Sequence, residues 1–277
     1  MEKKKNILVV NDDGIQAEGI HKLAEALSKV GEVYVCSPHV QQSASGHGIT
    51  IGRFAVAEEE DFPEATAAFS LEGTPADCVK IGLLIFGERG VEMDMVFSGF
   101  NHGSNLGSDI LYSGTASAAV EGAFCGLPSA AMSICSKAAS NGIPENYEAG
   151  MDIAQKIACS EPFQEKDDGQ KTLEVTYIRK PYALLNVNIP DLPPEKIKGI
   201  KVCPLSYHAY DKKYEKRLDE DGRTGYRFSS RPTVVGEVEI GDSDVIASKL
   251  EYTTITPLHF DLTDYRIIEK LREEWNE

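Results

Sequence analysis

The chain has 277 residues, of which 42% are hydrophobic and 26% are charged. This composition is typical of a globular protein and excludes a disordered or fibrous chain. Its 28 lysines and arginines stand against 44 aspartates and glutamates, which gives a formal net charge of −16 at pH 7. A surface field of this sign repels polyanions and argues against binding of a nucleic-acid duplex.

The sequence carries no signal for a membrane or an export route. No stretch approaches the roughly 18 uninterrupted apolar residues that a membrane helix requires. The first apolar run follows directly on Met-Glu-Lys-Lys-Lys-Asn, without a signal-peptide core. The six cysteines stand singly, with no C-x-x-C pair and no zinc-site spacing. We therefore expect a cytoplasmic protein with no membrane partner, in which the cysteines are reduced core residues.

The beginning of the chain predicts a strand, a helix and a second strand. Residues 7–10 form a continuous apolar run, typical of a strand that is covered on both faces, and 33–36 form another. Between them, over 18–30, apolar residues recur at helical spacing, and Gly31 is placed as a helix stop. This unit predicts a right-handed crossover in a parallel sheet. The predicted fold class is α/β, a three-layer Rossmann-like sheet that is mostly parallel.

Later segments continue this alternation. Strands are predicted over 95–98, 130–134 and 184–187, helices over 75–84, 115–124 and 146–158, and a charged loop over 161–170. After residue 190 the pattern changes, because Pro193-Pro194, the charge-dense run 211–223 and the alternating Tyr226 and Phe228 are typical of β ribbons rather than βα units.

These patterns divide the chain into three parts. Residues 1–190 form a Rossmann-like core, and 191–240 form a protruding β-ribbon arm. Residues 241–277 form a strand and a helix that return to the core, the helix ending near Trp275. A ribbon that lacks a core of its own needs a partner to cover it. We therefore expect a homodimer or homotetramer that assembles through the arm.

The first candidate site lies directly after the first strand, where the sequence reads Asn11-Asp12-Asp13-Gly14. Open α/β sheets bind their ligands at the carboxyl ends of the strands. Two adjacent carboxylates at such an edge repel each other unless a cation or a proton lies between them. A hard divalent ion such as Mg²⁺ or Mn²⁺ removes the repulsion. The alternative is an ordinary turn with a capping carboxylate.

A second polar loop follows the second strand and contains Ser43-Ala44-Ser45-Gly46-His47-Gly48. If both strands are parallel, this loop lies at the same edge of the sheet as the aspartates. Ser43 offers a hydroxyl oxygen to a metal ion. His39 and His47 are candidate proton shuttles, although either fits an ordinary surface position. A flexible connector is the alternative for the whole loop.

A third loop, over 98–107, is rich in glycine, serine and asparagine and is followed by Ser113-Gly114-Thr115 at a helix start. Backbone N–H groups of such a loop, together with the positive end of a helix, form a site for an anion such as phosphate. Capping by Thr115 is the alternative, but it does not explain the glycines and asparagines of the preceding loop.

Several enzyme classes are excluded by missing motifs. The sequence has no Walker A motif, no G-x-G-x-x-G after the first strand, no H-E-x-x-H, no G-x-S-x-G and no zinc-deaminase signature. The candidate features that remain are the two adjacent aspartates and the loop suited to phosphate.

Taken together, these loops resemble the SurE family of stationary-phase survival proteins, which are metal-dependent phosphatases of nucleoside monophosphates. The matching stretches are 7–14 with 18–20, 38–50, 73–78, and 98–115 with Glu121-Gly122, followed by 185–190 with Ile200 and 255–258 with 261–263. The resemblance therefore spans nearly the whole chain.

The resemblance implies roles for individual residues. One divalent ion, Mg²⁺ or Mn²⁺, would be held by Asp12, Asp13, Ser43 and Asn101, of which Asp12 and Asn101 would also be catalytic. The phosphate would be held by Asn105, Ser113, Gly114 and Thr115. His102 and His47 are candidates for the group that protonates the leaving oxygen.

Three hypotheses for the function follow. The first is hydrolysis of nucleoside 5′- or 3′-monophosphates to nucleoside and phosphate by a metal-activated water. The second is a phosphatase in which Asp12 attacks phosphorus and forms an aspartyl-phosphate. The third is a nucleotide-binding module without turnover.

Overall fold

The computed structural model describes residues 4–136, 144–164, 183–210, 214–228, 232–234 and 242–275. In chain order the elements are β1 (Lys5–Val10), α1 (Glu18–Leu27), β2 (Gly31–Pro38), β3 (Ala57–Glu60), β4 (Ala67–Leu71), α2 (Pro75–Glu88), β5 (Met95–His102), α3 (Gly114–Phe124), β6 (Ser129–Cys135), α4 (Glu148–Ala158), α5 (Glu161–Gln164), β7 (Leu184–Pro190), β8 (Ile200–Val202), β9 (His208–Tyr210), β10 (Tyr214–Leu218), β11 (Thr224–Phe228), β12 (Pro232–Val234), α6 (Asp244–Lys249), β13 (Thr253–Pro257) and α7 (Tyr265–Trp275).

One large sheet has the strand order β3-β4-β2-β1-β5-β6-β7-β13-β8. The six consecutive strands from β4 to β7 are parallel to one another. The edge strand β3 is antiparallel to β4, and β13 is antiparallel to β7. The predicted class, α/β with a mostly parallel sheet, is therefore confirmed.

Apolar residues on both faces of the sheet create the three layers. On β1, Ile7 and Val9 belong to the core cluster that includes α1 and α4. The alternate residues Leu8 and Val10 belong to the cluster that includes α2. All four side chains are fully buried, as the unbroken apolar run predicts for a strand covered on both faces.

Local sequence explains where the helices begin. The Thr74 hydroxyl accepts a hydrogen bond from the Asp77 N–H (3.1 Å), and the Asp77 carboxylate accepts one from the Thr74 N–H (2.9 Å). This capping box and Pro75 start α2, which runs on to Glu88, past the predicted end.

Other predicted boundaries also differ from the structure. Gly31 was expected to stop a helix over 18–30, but α1 ends at Leu27 and Gly31 is the first residue of β2. A side chain there would lie 2.7 Å from the Lys5 carbonyl oxygen, so the sheet needs glycine at this point. The predicted loop over 161–170 begins with the short helix α5, and its residues 165–170 lie outside the described residues.

The C-terminal third also differs in part from the expected division. β8 pairs with β13 in the large sheet rather than in an arm. Two separate antiparallel ribbons follow, β10 with β11 and β9 with β12. β13 enters the sheet beside β7, but α7 has no buried side chain, so this helix does not return to the core as expected. Its apolar residues find no core to cover them within the described part of the chain.

The six cysteines are free. Cys36, Cys78 and Cys203 are buried, but Cys159 is exposed, so they are not all core residues. None of the described helices combines the length and apolar character needed to cross a membrane.

Candidate active site

The adjacent aspartates lie in a turn that Asn11 holds in place. The Asn11 side chain donates to the Gly14 carbonyl oxygen (2.9 Å) and accepts from the Gly14 N–H (3.2 Å). The hydroxyl of Ser37, at the end of β2, donates to the same Asn11 oxygen. Gly14 has a φ of 98°, a conformation that favours glycine. The turn therefore presents Asp12 and Asp13 in a defined orientation at the carboxyl edge of the sheet.

Asp12 packs against the N-terminus of α3. Its side-chain Oδ1 accepts a hydrogen bond from the Thr115 hydroxyl (2.5 Å), and its carboxylate also accepts from the Thr115 backbone N–H. A Cβ atom at Gly114 would lie 2.9 Å from Asp12 Oδ2, so glycine is required for this close approach. The positive end of the helix stabilises the carboxylate.

The electrostatics of Asp12 favour a cation. Burial raises the pKa of this carboxyl from 3.8 to about 6; the Thr115 hydrogen bond acts in the opposite direction, and the charge of Asp13 adds to the increase. Only 4% of Asp12 is exposed to solvent. A divalent ion beside the pair would compensate both carboxylates, which burial otherwise destabilises.

Asp13 connects this turn to the next strand of the sheet. Its Oδ2 accepts a hydrogen bond from the His102 N–H (3.0 Å), and its Oδ1 accepts one from the Gln41 side chain (3.1 Å). His102 Nδ1 lies 4.0 Å from the same Oδ2, and its Nε2 lies 3.2 Å from the Tyr147 hydroxyl. The first and third predicted loops therefore meet at Asp13.

Asn101 is aimed by an irregularity in β5. The register of β5 against β6 shifts between Ser98 and Asn101, and Gly99 between them has a φ of 140°. Bulges of this kind redirect side chains next to active sites. The Asn101 amide nitrogen donates to the Gly103 carbonyl oxygen (2.8 Å), and among the described contacts no hydrogen bond engages its amide oxygen.

The second loop reaches Asp12 through its backbone. The Gln42 N–H donates to the Asp12 carbonyl oxygen (2.7 Å), and the Gly46 N–H donates to the Tyr112 carbonyl oxygen (3.1 Å). Ser43 lies between these two anchors and is exposed. The structure describes no hydrogen bond of its hydroxyl, so its role as a metal ligand stays a prediction.

The expected phosphate residues are already engaged in other contacts. Ser113 is the N-cap of α3, and its Oγ accepts a hydrogen bond from the Ala116 N–H (3.0 Å). The Thr115 hydroxyl donates to Asp12. The Asn105 side chain donates to Ser133 Oγ (2.9 Å). Thr115, expected at the phosphate, therefore contacts Asp12, expected at the metal ion, and the assignment of both residues stays a prediction.

Other residues of this region were not singled out from the sequence. Asn186 and Asn188 on β7 both donate to the Asn105 carbonyl oxygen (2.8 and 3.0 Å), and Asn188 Oδ1 accepts from the Asn105 N–H (2.8 Å). Both asparagines are fully buried. Two asparagines alternating with apolar residues in a buried strand were a usable signal, because buried amides need polar partners.

The two candidate histidines of the second loop are engaged away from Asp12. His47 Nε2 lies 2.8 Å from Glu121 Oε2, and Lys80 donates to Glu121 Oε1 (2.8 Å). His39 forms a group with Glu58 and Glu60, whose ligand atoms lie within 4.8 Å of one another and are largely exposed. Among the described residues, that group alone brings three His, Cys, Asp or Glu ligands together, so any ion at Asp12 and Asp13 needs hydroxyl, amide or water oxygens as well.

The geometry defines a class of protein, a three-layer α/β protein with two adjacent aspartates at the carboxyl edge of its first strand, against the start of a helix. A family model described as Survival protein SurE matches residues 7–212. The chain belongs to the SurE family, and the resemblance seen in the sequence is confirmed.

Individual relatives agree with this assignment. The chain is 41% identical over 268 residues to the 5′-nucleotidase SurE of Pelotomaculum thermopropionicum, covering 96% of this chain and 94% of the relative. It is 40% identical over 270 residues to the 5′-nucleotidase SurE of Clostridium botulinum strain ATCC 19397, covering 97% and 98%. The crystal structure of the SurE protein from Aquifex aeolicus matches with a TM-score of 0.75 and 33% identity, covering 98% of this chain and all of that one.

The Thr115 contact predicts that two neighbouring hydroxyls differ in effect. Thr115→Val removes the donor that orients Asp12, so Mn²⁺ affinity should fall by about 10-fold, as for other partners of metal ligands. Ser113→Ala should cost about 1 kcal/mol of helix-cap stability and leave Mn²⁺ affinity unchanged. Titration calorimetry with Mn²⁺ and urea unfolding of both variants measure these effects. Equal loss of Mn²⁺ affinity in both variants would contradict the assignment.

Proposed function

We propose that this chain is a phosphatase that hydrolyses nucleoside 5′- or 3′-monophosphates to nucleoside and inorganic phosphate. The observation that carries the proposal is the buried Asp12 carboxylate at the start of α3, with Asp13 beside it. The names of the SurE relatives, 5′-nucleotidases at about 40% identity over nearly the whole chain, support the substrate class. Such an enzyme is a hydrolase of phosphate monoesters.

The donor set at this edge of the sheet fits a hard divalent ion. Two carboxylates, one amide oxygen and one hydroxyl would come from Asp12, Asp13, Asn101 and Ser43, and Mg²⁺ and Mn²⁺ prefer such oxygens. When bound, the ion would polarise the phosphoryl group and lower the pKa of a water ligand. We propose one such ion per chain.

The chain's own groups would orient the substrate and compensate its charge. The start of α3 is the positive end of a helix, and the Asp12 carboxylate lies directly beside it, at Gly114. A phosphoryl group placed there would gain the helix field. His102 contacts both Asp13 and Tyr147, and we propose it as the group that protonates the leaving oxygen.

The contacts of Asp12 leave one oxygen for either route. A carboxylate nucleophile needs a free oxygen that faces phosphorus. Asp12 Oδ1 already accepts from the Thr115 hydroxyl, so Oδ2, beside Gly114, is the oxygen that would bind an ion or attack phosphorus. We favour the metal ligand, because a cation beside Asp12 and Asp13 compensates both buried charges. Only a measurement of turnover distinguishes the nucleotide-binding module from the two phosphatase hypotheses.

The proposal predicts steady phosphate release from a panel of nucleoside 5′- and 3′-monophosphates in the presence of Mg²⁺ or Mn²⁺, and none after chelation. Asp13→Asn should lower turnover, with partial recovery at high Mn²⁺, because the lost charge weakens metal binding. Asp94→Asn is the same change at the amino ends of the parallel strands, away from the site, and it should leave turnover unchanged. Absence of release from every monophosphate would leave only the nucleotide-binding module.

The same assay decides the route. During turnover, acid quenching and mass spectrometry of the peptide around Asp12 should show no phosphoryl adduct. A mass gain of one phosphoryl group that disappears in Asp12→Asn would establish the covalent route instead, with the phosphatase assignment intact.

We also propose that the chain self-associates through its ribbon. Directly opposed residues of β10 and β11 share one face, so Tyr214, Leu218 and Tyr226 lie on the same side. They are 61%, 68% and 68% exposed, which is unusual for three large apolar side chains on one short ribbon. A second copy of the chain would cover these side chains.

The cytoplasmic location expected from the sequence stays a prediction.

Light scattering tests this self-association. The intact chain should have the mass of a dimer or tetramer, and Leu218→Asp with Tyr226→Asp should shift it towards the monomer mass, because a charge cannot be buried in the apolar contact. Leu262→Asp, at an exposed position outside the ribbon, is the control. A monomer at every concentration would contradict the proposal.

A further inference from the structure

Ser45 has a buried hydroxyl without a partner. In the described chain its Oγ is inaccessible to solvent and forms no hydrogen bond. A hydroxyl buried in this way is destabilising unless a ligand or an ordered water pairs with it. Ser45 has no part in the site residues considered above, and its neighbour Ser43 is exposed. The loop therefore presents one hydroxyl to solvent and one to the interior.

The Ser45 hydroxyl lies at the start of α3. Its Oγ is 3.0 Å from the position that a Cβ atom would occupy at Gly114, and Asp12 Oδ2 is 2.9 Å from the same position. The absence of a side chain at Gly114 therefore leaves a small space between a hydroxyl, a carboxylate and a helix N-terminus. Helix α3 has 11 residues, and its first backbone N–H groups point towards this end.

The position of Ser45 is fixed from both sides. The Ser45 N–H donates to the Gln42 carbonyl oxygen (3.3 Å), and the Gly46 N–H donates to the Tyr112 carbonyl oxygen. Further along the loop, His47 contacts the buried Glu121 of α3, and the N–H and hydroxyl of Thr50 donate to Asp77 of α2. These anchors hold the hydroxyl against α3 before any ligand binds.

We propose that the Ser45 hydroxyl donates a hydrogen bond to a phosphoryl oxygen of the substrate, and afterwards to the inorganic phosphate product. The inference rests on the proposed function and adds a binding residue to it. A phosphoryl oxygen is the partner that suits the location, because the first turn of α3 is the positive end of a helix and attracts an anion. A serine O–H can donate to such an oxygen without being deprotonated.

Two loop serines therefore have different roles, which gives a matched pair of variants. Ser45→Ala should weaken binding of inorganic phosphate to the Mn²⁺-loaded protein by about 10-fold, the effect of one lost hydrogen bond to a charged group. Its Mn²⁺ affinity should be unchanged, and its resistance to urea should not fall, because the removed hydroxyl has no partner. Ser43→Ala should instead weaken Mn²⁺ binding.

Titration calorimetry with inorganic phosphate measures phosphate affinity, and a second titration with Mn²⁺ alone measures metal affinity. Urea unfolding measures stability. Ser45→Cys, which replaces the hydroxyl with a slightly larger thiol that is only a weak donor, should resemble Ser45→Ala in phosphate affinity and so separates the hydrogen bond from a loss of packing. In steady state, phosphate inhibition should weaken in Ser45→Ala by the same factor, with KM raised more than kcat is lowered.

Unchanged phosphate affinity in Ser45→Ala would overturn the inference, as would a parallel loss of Mn²⁺ affinity. The test is separate from that of the proposed function, since phosphate binding is measured without turnover. If wild-type protein binds phosphate through Ser45 but hydrolyses no monophosphate, the proposed function fails, and only the role of Ser45 in binding phosphate stands.

Discussion

The contact between the Asp12 carboxylate and the first turn of α3 determines how the whole site is built. It joins the end of β1 to a helix that begins more than a hundred residues later, and Gly114 is needed for it because a side chain there would lie 2.8 Å from Asp12 Cβ. The helix field and the Thr115 hydroxyl stabilise a charge that burial opposes.

In the proposed site, this contact also links cation and anion binding. The helix start that stabilises Asp12 is the group that attracts a phosphoryl oxygen, and Asp12 is the carboxylate best placed to share a divalent ion with Asp13. Both ligands therefore depend on the same few backbone atoms. The supporting contacts, His47 with Glu121 and Asn105 with Asn188, hold the two loops on either side of this point.

The sequence predicted what local pattern can encode. The apolar run 7–10 predicted a doubly covered parallel strand, and parallel strands bring the ends of β1, β2 and β5 to one edge. The sequence did not reveal that the Thr115 hydroxyl donates a hydrogen bond to Asp12, because a contact between residues 103 positions apart leaves no local pattern. The unpartnered Ser45 is visible only once the loop is packed against α3. The amphipathic pattern of α7 predicted a helix correctly, but not what covers it, because amphipathicity does not specify a partner.

Anomalous diffraction from crystals grown with Mn²⁺ tests the central claim most directly. The account predicts a strong manganese peak in contact with the carboxylates of Asp12 and Asp13, and its loss in Asp12→Asn. A peak at His39, Glu58 and Glu60 with none at Asp12 would contradict it, because the buried aspartate pair would then need no cation.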